Sequence, residues 1–315
     1  MLPWADLMDF GVVHPLVYLE TRSDESKLLP TLHAVAADPW FGAVEIAPIK
    51  DPAIVKEARA LLSAAAMQVV HLPILPIIFD NLGLGSEDDS ARREAKARLQ
   101  TLLDQAIFFG APLAMIAAPK DPGEKAREVT LERFTQDVQE LCDYADAHSS
   151  KQRLHLVLEN FDRDVEKKRL IGPTFEAAAF AEVVGRDNFG LTVDLSHLPL
   201  LKETPAEALQ AAAPHLLHVH IGNCVAAYPE SPLYGDFHPR FGHPLGVNDV
   251  PEVTTFLEEL HALEFWTHAR KRLGVTPILS MELKPSDGES SEVILANGKR
   301  VFAQAWAQSN GVRIR

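Results

Sequence analysis

What most constrains this chain is an alternation: eight short apolar runs ending in polar residues, separated by stretches with helical periodicity. The runs are Phe10–His14, Ala43–Ile46, Gln68–Leu72, Leu113–Ala117, Leu154–Glu159, Gly190–Asp194, Leu217–Ile221 and Ile278–Glu282. Between them, Leu28–Ala37, Pro52–Ala66, Ala91–Phe109, Leu131–His148, Thr174–Val184, Pro205–Ala213 and Pro251–Leu263 space their apolar residues near the helical period. Asp51-Pro52, Pro173-Thr174 and Thr204-Pro205 supply N-terminal caps or a first-turn proline, and Gly110 and Gly185 stand where helices should stop. Strands alternating with helices form a parallel sheet, and eight is the number that closes into a (β/α)8 TIM barrel, a fold of about 200 to 400 residues. An open doubly wound sheet would place a Gly-rich phosphate turn after the first strand, where this chain has His14-Pro15. No Pro/Gly/Ser-rich linker interrupts residues 1–315, which read as one domain. Two long loops break the regularity, Phe79–Ser90 after strand three and Asn223–Asn248 after strand seven. Both lie on the carboxyl face of the strands, where barrel chemistry resides.

A hydrophobic share of 47% with 7% aromatic residues suits an aliphatic α/β interior. The net charge of −14 opposes binding to a phosphate backbone, which needs concentrated Lys and Arg. The densest basic run, Lys167-Lys168-Arg169, reads as a solvated loop. Cys142 and Cys224 give no disulfide framework, and Asp6 and Asp9 do not suit the start of a secretory signal. The apolar stretch Val69–Phe79 is broken by His71, Pro73 and Pro76 and is short of a membrane span. A cytoplasmic protein without nucleic-acid or membrane partners is expected. Homo-oligomers are common for the fold, and no segment here identifies an interface.

Barrel strands should be apolar, so charges at their carboxyl ends need a reason. The ends read Val44-Glu45, Val70-His71, Leu158-Glu159, Val193-Asp194, Val219-His220 and Met281-Glu282. Strand parity puts Val157 with Glu159, Thr192 with Asp194, His218 with His220 and Ser280 with Glu282. If those faces point inward, Glu159, Asp194, His220 and Glu282 converge at one rim. Three carboxylates cannot share a rim uncompensated, and a bound cation resolves the cost. Oxygen-rich ligation with one imidazole suits one divalent ion, with Mn²⁺ expected ahead of Mg²⁺, Co²⁺ and Zn²⁺.

The segments LHLVLENF around Glu159, FGLTVDLSHL around Asp194 and His197, LLHVHIGN around His220 and ILSMEL around Glu282 resemble the xylose-isomerase-like barrel superfamily. That superfamily includes ketose 3-epimerases, inosose-pathway enzymes, hydroxypyruvate isomerases and endonuclease IV enzymes. In the ketose epimerases the resemblance implies one metal on Glu159, Asp194, His220 and Glu282, and a substrate oxygen contacted by His197. Asp236-Phe237-His238, followed by Arg240-Phe241-Gly242-His243, resembles the Asp-x-His that binds additional zinc in endonuclease IV, and His71 resembles another of its ligands. The strand-four histidine of that enzyme is absent, since the stretch reads Met115-Ile116-Ala117-Ala118-Pro119. Asp236 and His238 are therefore expected to face substrate or to orient a ligand, unless they merely tether their loop. Two ketose-epimerase residues are also replaced, an arginine by Ala226 and an acid by Val165, leaving Arg240 or Lys284 as candidates for the missing cation. His14 is a further substrate-contact candidate; Glu45 reads as structural, Trp40 as packing beneath its loop and Cys224 as a bystander.

The resemblance implies proton abstraction next to a carbonyl on a sugar or polyol, passing through an enediolate. Glu159 and Glu282 are the expected acid–base pair, with His197, His71, His14, Asp236, His238 and Arg240 placed against substrate. The alternatives on this scaffold are a lyase of the C-glycoside deglycosidase type and an endonuclease IV-like phosphodiesterase. A non-catalytic carbohydrate-binding or regulatory barrel is the alternative of another class.

Overall fold

The computed structural model describes residues 3–311; the two ends of the 1–315 span, residues 1–2 and 312–315, lie outside the described residues. The strands are β1 (Asp9–Val12), β2 (Ala43–Ile46), β3 (Gln68–His71), β4 (Leu113–Ala117), β5 (His155–Glu159), β6 (Phe189–Asp194), β7 (Leu216–Gly222) and β8 (Ile278–Glu282). They form one sheet in the order β1-β8-β7-β6-β5-β4-β3-β2, and the ladders are parallel throughout. β1 meets β2 through the lone residue pair Val13–Glu45 and a hydrogen bond of 3.0 Å from the Gly42 amide to the Phe10 carbonyl, so the barrel shuts at a thin seam. The TIM-barrel expectation thus holds.

The helices form where caps and periodicity coincide. Asp51 accepts from the Ala53 amide ahead of Pro52–Ala64, and Thr204 and Glu207 form a reciprocal capping box at Pro205–Ala212. Gly110 and Gly185 end their helices with φ of 72° and 58°, left-handed values that glycine adopts without a side-chain clash. Among the described residues, five α-helices have no counterpart in the periodicity: His14–Val17, Ile74–Phe79, Leu198–Leu201, Phe265–Leu273 and Ser291–Gly311. The first removes His14 from the strand end, because Pro15 at the first helical turn starts a helix there. The last is masked in the sequence by Asn297-Gly298. That glycine lets the helix lie close on β8, since a Cβ would stand 2.4 Å from Met281 Sδ. The same helix carries Phe302, stacked on Phe10 at 4.3 Å, and Trp4 meets Phe302 edge-on at 4.8 Å. Trp40 packs partly buried against Trp4, as expected.

Both long loops are tied down by single side chains. Asp137, fully buried, accepts from the Gly85 amide and pairs with Arg92, fixing the segment after β3. Asn223 Oδ1 accepts from the amides of Cys224, Val247 and Asn248, while its Nδ2 donates to the Arg240 carbonyl. One amide side chain therefore clasps both ends of the loop after β7.

A candidate metal and acid–base site

Four side chains from the carboxyl ends of β5 to β8 meet at the barrel mouth. Register brings them level, pairing Asp194 with His220 and Gly222 with Glu282. One donor atom from each of Glu159, Asp194, His220 and Glu282 lies within 4.8 Å of the others, and all four residues are buried. His220 Nδ1 is 2.6 Å from Glu282 Oε2 and 3.4 Å from Glu159 Oε1, yet these contacts are out of line for hydrogen bonds and all three atoms lack a partner. Buried polar atoms are rarely left so, and three aimed at one point fit a shared cation. Asp194 stands behind them, its oxygens accepting from the Ser196 amide at 2.7 Å and hydroxyl at 2.5 Å. The electrostatics agree: burial, reinforced by Glu282, pushes Glu159 up to about 7. Glu282 sits below its ordinary value, because His238 and His220 outweigh the opposing effect of burial.

The opposite nitrogen of His220 is held from within the barrel. Glu45 Oε1 lies 3.0 Å from His220 Nε2 and 2.7 Å from His218 Nε2, and all three residues are buried. Burial works against ionisation of Glu45, but His220 and His218 reverse the balance and keep it a carboxylate. A carboxylate on the far nitrogen fixes the tautomer in which Nδ1 faces the rim and raises its basicity. Glu45 thus braces the His220 ring from beneath, and its register with β3 sets its direction. Glu45 pairs with Val70 and faces inward, whereas its neighbour in type, His71, pairs with Ile46 and faces the helices.

Loop residues complete the mouth. Asp236 and His238 line the same cavity as Glu159, His220 and Glu282, with His238 Nε2 2.9 Å from Asp236 Oδ1 and 3.4 Å from Glu282 Oε1. His238 adopts φ 50°, and its carbonyl accepts from the Lys284 amide at 2.7 Å, which latches the loop onto the end of β8. Gly222 leaves room for it, since a Cβ there would meet the Glu282 carbonyl at 2.7 Å and His238 Nδ1 at 3.2 Å. His197 does not line the cavity. Its Nδ1 lies 3.0 Å from the Asn160 carbonyl and its Nε2 3.3 Å from Asp236 Oδ1 and 3.5 Å from Asp194 Oδ2. Asp194, His197 and His238 form a second group able to hold a metal ion, contiguous with the first.

Other sequence expectations need correction. His14 is fully buried and its Nε2 meets Thr31 Oγ1 at 2.9 Å; His71 is fully buried and its Nε2 meets Gln105 Oε1 at 2.9 Å. Both imidazoles point between strand and helix, away from the cavity. Arg240 is drawn aside by Glu289, to which its Nε donates at 2.8 Å, and does not reach the mouth. The run Lys167-Lys168-Arg169 is no plain solvated loop, for Lys167 lines the cavity and Arg169 is buried. Asp162 shapes that turn by accepting from the amides of Val165, Glu166 and Lys167. Lys167 Nζ then lies 3.3 Å from Asp236 Oδ2, and Asp236 is held well below the carboxylate range, His197, His238 and Lys167 prevailing over burial. Lys284 and Arg22 also line the cavity. Nothing in the spacing of the sequence marked Arg22 or Lys167. Cys224 is buried, and burial pushes its thiol far above the ordinary value, consistent with a bystander.

A family model described as xylose isomerase-like TIM barrel matches residues 34–313. No curated protein matches the chain by sequence. Among solved structures, an L-ribulose 3-epimerase is 16% identical, with 98% of this chain and 99% of that one covered and a TM-score of 0.71. An IOLI protein with a bound zinc atom is 14% identical over 96% and 99%, with a TM-score of 0.69. An AP endonuclease, family 2, from Brucella melitensis is 16% identical over 92% and 97%, with a TM-score of 0.66. At these identities the structural likeness speaks to the fold.

Proposed function

The chain belongs to the xylose isomerase-like TIM barrel family, and from that premise we propose that it is a divalent-metal-dependent isomerase or epimerase of a sugar or polyol. The observation that carries this reading is the convergence of Glu159 Oε1, His220 Nδ1 and Glu282 Oε2, buried and partnerless, with Asp194 within 4.8 Å. Glu159, Asp194, His220 and Glu282 would hold the ion, with Mn²⁺ the first candidate and Mg²⁺, Co²⁺ or Zn²⁺ the alternatives. When bound, such a cation supplies Lewis-acid stabilisation of the negative charge that develops on a carbonyl oxygen.

The protein's own groups account for the proton. Glu159 and Glu282 approach the mouth from β5 and β8, so one removes a proton beside the carbonyl and the other delivers it from the opposite face, which is epimerisation. Delivery to the neighbouring carbon is isomerisation. Glu45 holds the His220 ring, Asp236 and His238 present polar atoms to the substrate, and His197 fixes Asp236. The clasped loop after β7 excludes water. The cytoplasm is the proposed compartment, on the strength of two cysteines that are buried and unpaired.

Solvent exchange tests the reading: metal-loaded protein in D2O should label the carbon beside the carbonyl of a ketose substrate. A panel of hydroxy-carbonyl compounds, free sugars included, none of which acquires label would end it. A phosphodiesterase reading draws on the second group, Asp194, His197 and His238. Against it stand the net charge of −14 and Met115 at the strand-four position. Nicking of abasic DNA by protein holding two or more equivalents of metal would reverse that ranking.

A further inference from the structure

Arg22, Lys167 and Lys284 all line the cavity at the mouth, and they are not equivalent. Lys167 is neutralised in place: its Nζ donates to both oxygens of Glu166 at 2.8 Å and stands 3.3 Å from Asp236 Oδ2. Arg22 and Lys284 are held by neutral groups instead. Arg22 ends the short turn Leu19–Arg22 beyond β1, where its Nε donates to the Pro15 carbonyl at 2.7 Å and its guanidinium stands 5.9 Å from the Phe79 ring. Lys284 follows Glu282 by two residues, its backbone amide is fixed to the His238 carbonyl, and its Nζ stands 5.4 Å from the Phe237 ring. Among the described residues no carboxylate forms an ion pair with either. The acids nearby are engaged: Glu166 holds Lys167 and the Asp236 amide, and Glu282 stands 2.6 Å from His220 and 3.4 Å from His238. β1 and β8 are neighbours in the wall, so Arg22 and Lys284 rise from adjacent strands, and Arg22 and Lys167 both repel the Lys284 ammonium. Arg22 is exposed and Lys284 half-buried, which leaves both within reach of a solute. Two like charges kept together in this way carry a cost that a bound anion offsets.

We infer that the substrate is an acid as well as a hydroxy-carbonyl compound: its head sits at the Glu159–Glu282 cluster, and an anionic oxygen group at its far end, carboxylate or phosphate, is held by Arg22 and Lys284. The inference rests on the proposed enediolate reading for the position of the head, and adds the charge of the other end. An anion beside the reacting carbon would meet the carboxylates of the cluster, whereas at the rim it meets the two unpaired cations. The chemistry of the pair suits either oxyanion. A guanidinium presents a planar fork of donors, and an ammonium adds a compact charge with donors that rotate to meet it.

Probes that share one head separate the inference from the reading beneath it. D-Fructose, D-fructose 6-phosphate and D-fructuronate differ only at the last carbon, which is a hydroxymethyl group, a phosphate ester or a carboxylate. Calorimetric titration of Mn²⁺-loaded protein should show one of the two acids binding roughly a hundred-fold tighter than D-fructose, the scale of two charge-assisted hydrogen bonds. The tighter acid identifies the group. Arg22→Gln and Lys284→Gln, both at the rim where folding is secure, should each cut the ratio of acid to D-fructose affinity about ten-fold. Neither acid binding tighter than D-fructose overturns the inference. So does a preference that both variants leave intact, as direct chelation of the ion by the acid would give. Deuterium incorporation beside the carbonyl, followed by NMR in D2O, reads the enediolate step independently. An acid that binds tightly, loses its advantage in both variants and takes up no label would sink that step while supporting the anion site.

Discussion

The first four strands and the last four carry similar residue types at their carboxyl ends and use them in opposite ways. β5 to β8 end in Glu159, Asp194, His220 and Glu282, which face one another across the mouth. Around β1 to β4 the comparable residues are His14, Glu45 and His71, and none of them lines the cavity. His14 and His71 face the helical layer and bond Thr31 and Gln105, while Glu45 faces inward but one layer deeper, beneath His220. In their place the early half offers Leu16, Leu72, Leu75 and Met115. A polar residue at a strand end is therefore only half a signal; the face it occupies decides whether it does chemistry or holds a helix.

If that division is right, disturbing the late half should stop turnover and spare the fold. Metal removal gives the largest effect: chelation should abolish activity, Mn²⁺ should restore it, and the melting temperature should rise with added ion because only the folded state binds it tightly. Activity that survives exhaustive chelation would break the comparison outright. Glu159→Gln comes next, with a loss in kcat of roughly 10³-fold, within the usual range for a positioned acid–base group. Its melting temperature should hold, since the change relieves crowded carboxylates. Glu45→Gln should weaken metal affinity by about 10- to 100-fold, the usual cost of losing the partner of a ligating histidine. Competition against a chromophoric chelator measures it, and an unchanged affinity would leave Glu45 without a part in metal binding.

The early half should answer in stability. Burial pushes His14 down to about 3 and His71 down to about 4, so both are neutral in the folded protein near neutrality. The unfolded chain, with ordinary imidazoles near 6.5, binds protons that the folded state refuses. Stability is then fully present above about pH 6.5 and falls as the pH drops toward 4, by a few kcal/mol at most for each histidine, on the order of 1.4 per pH unit. Denaturant titrations from pH 7 to pH 4.5 should show the decline, and His71→Gln should flatten it while leaving the metal affinity alone. A slope that the substitution does not change would mean that other groups carry the acid sensitivity.

How much of this the sequence could disclose follows from the same contrast. The barrel was readable because alternation and caps are local, and three strands, Ala43–Ile46, Leu113–Ala117 and Ile278–Glu282, fall where their apolar runs do. The late cluster was readable because the four residues end successive strands with a shared parity. Register was not readable. Whether Glu45 or His71 faces the interior depends on the pairing of Glu45 with Val70 and of Ile46 with His71, which are contacts between segments with no trace in either one. The loop residues were hidden for a related reason. Lys167 reaches Asp236 from a turn that Asp162 holds, and Arg240, absent from the cavity lining, is paired with Glu289.

The narrow join between the first two strands has a mechanical meaning. Glu45 belongs both to the residue pair that shuts the wall and to the brace under the His220 ring. A transient parting of that wall would therefore tilt the imidazole at the same instant, so that the geometry of the Glu159–His220–Glu282 cluster and the integrity of the cylinder would fluctuate as one event.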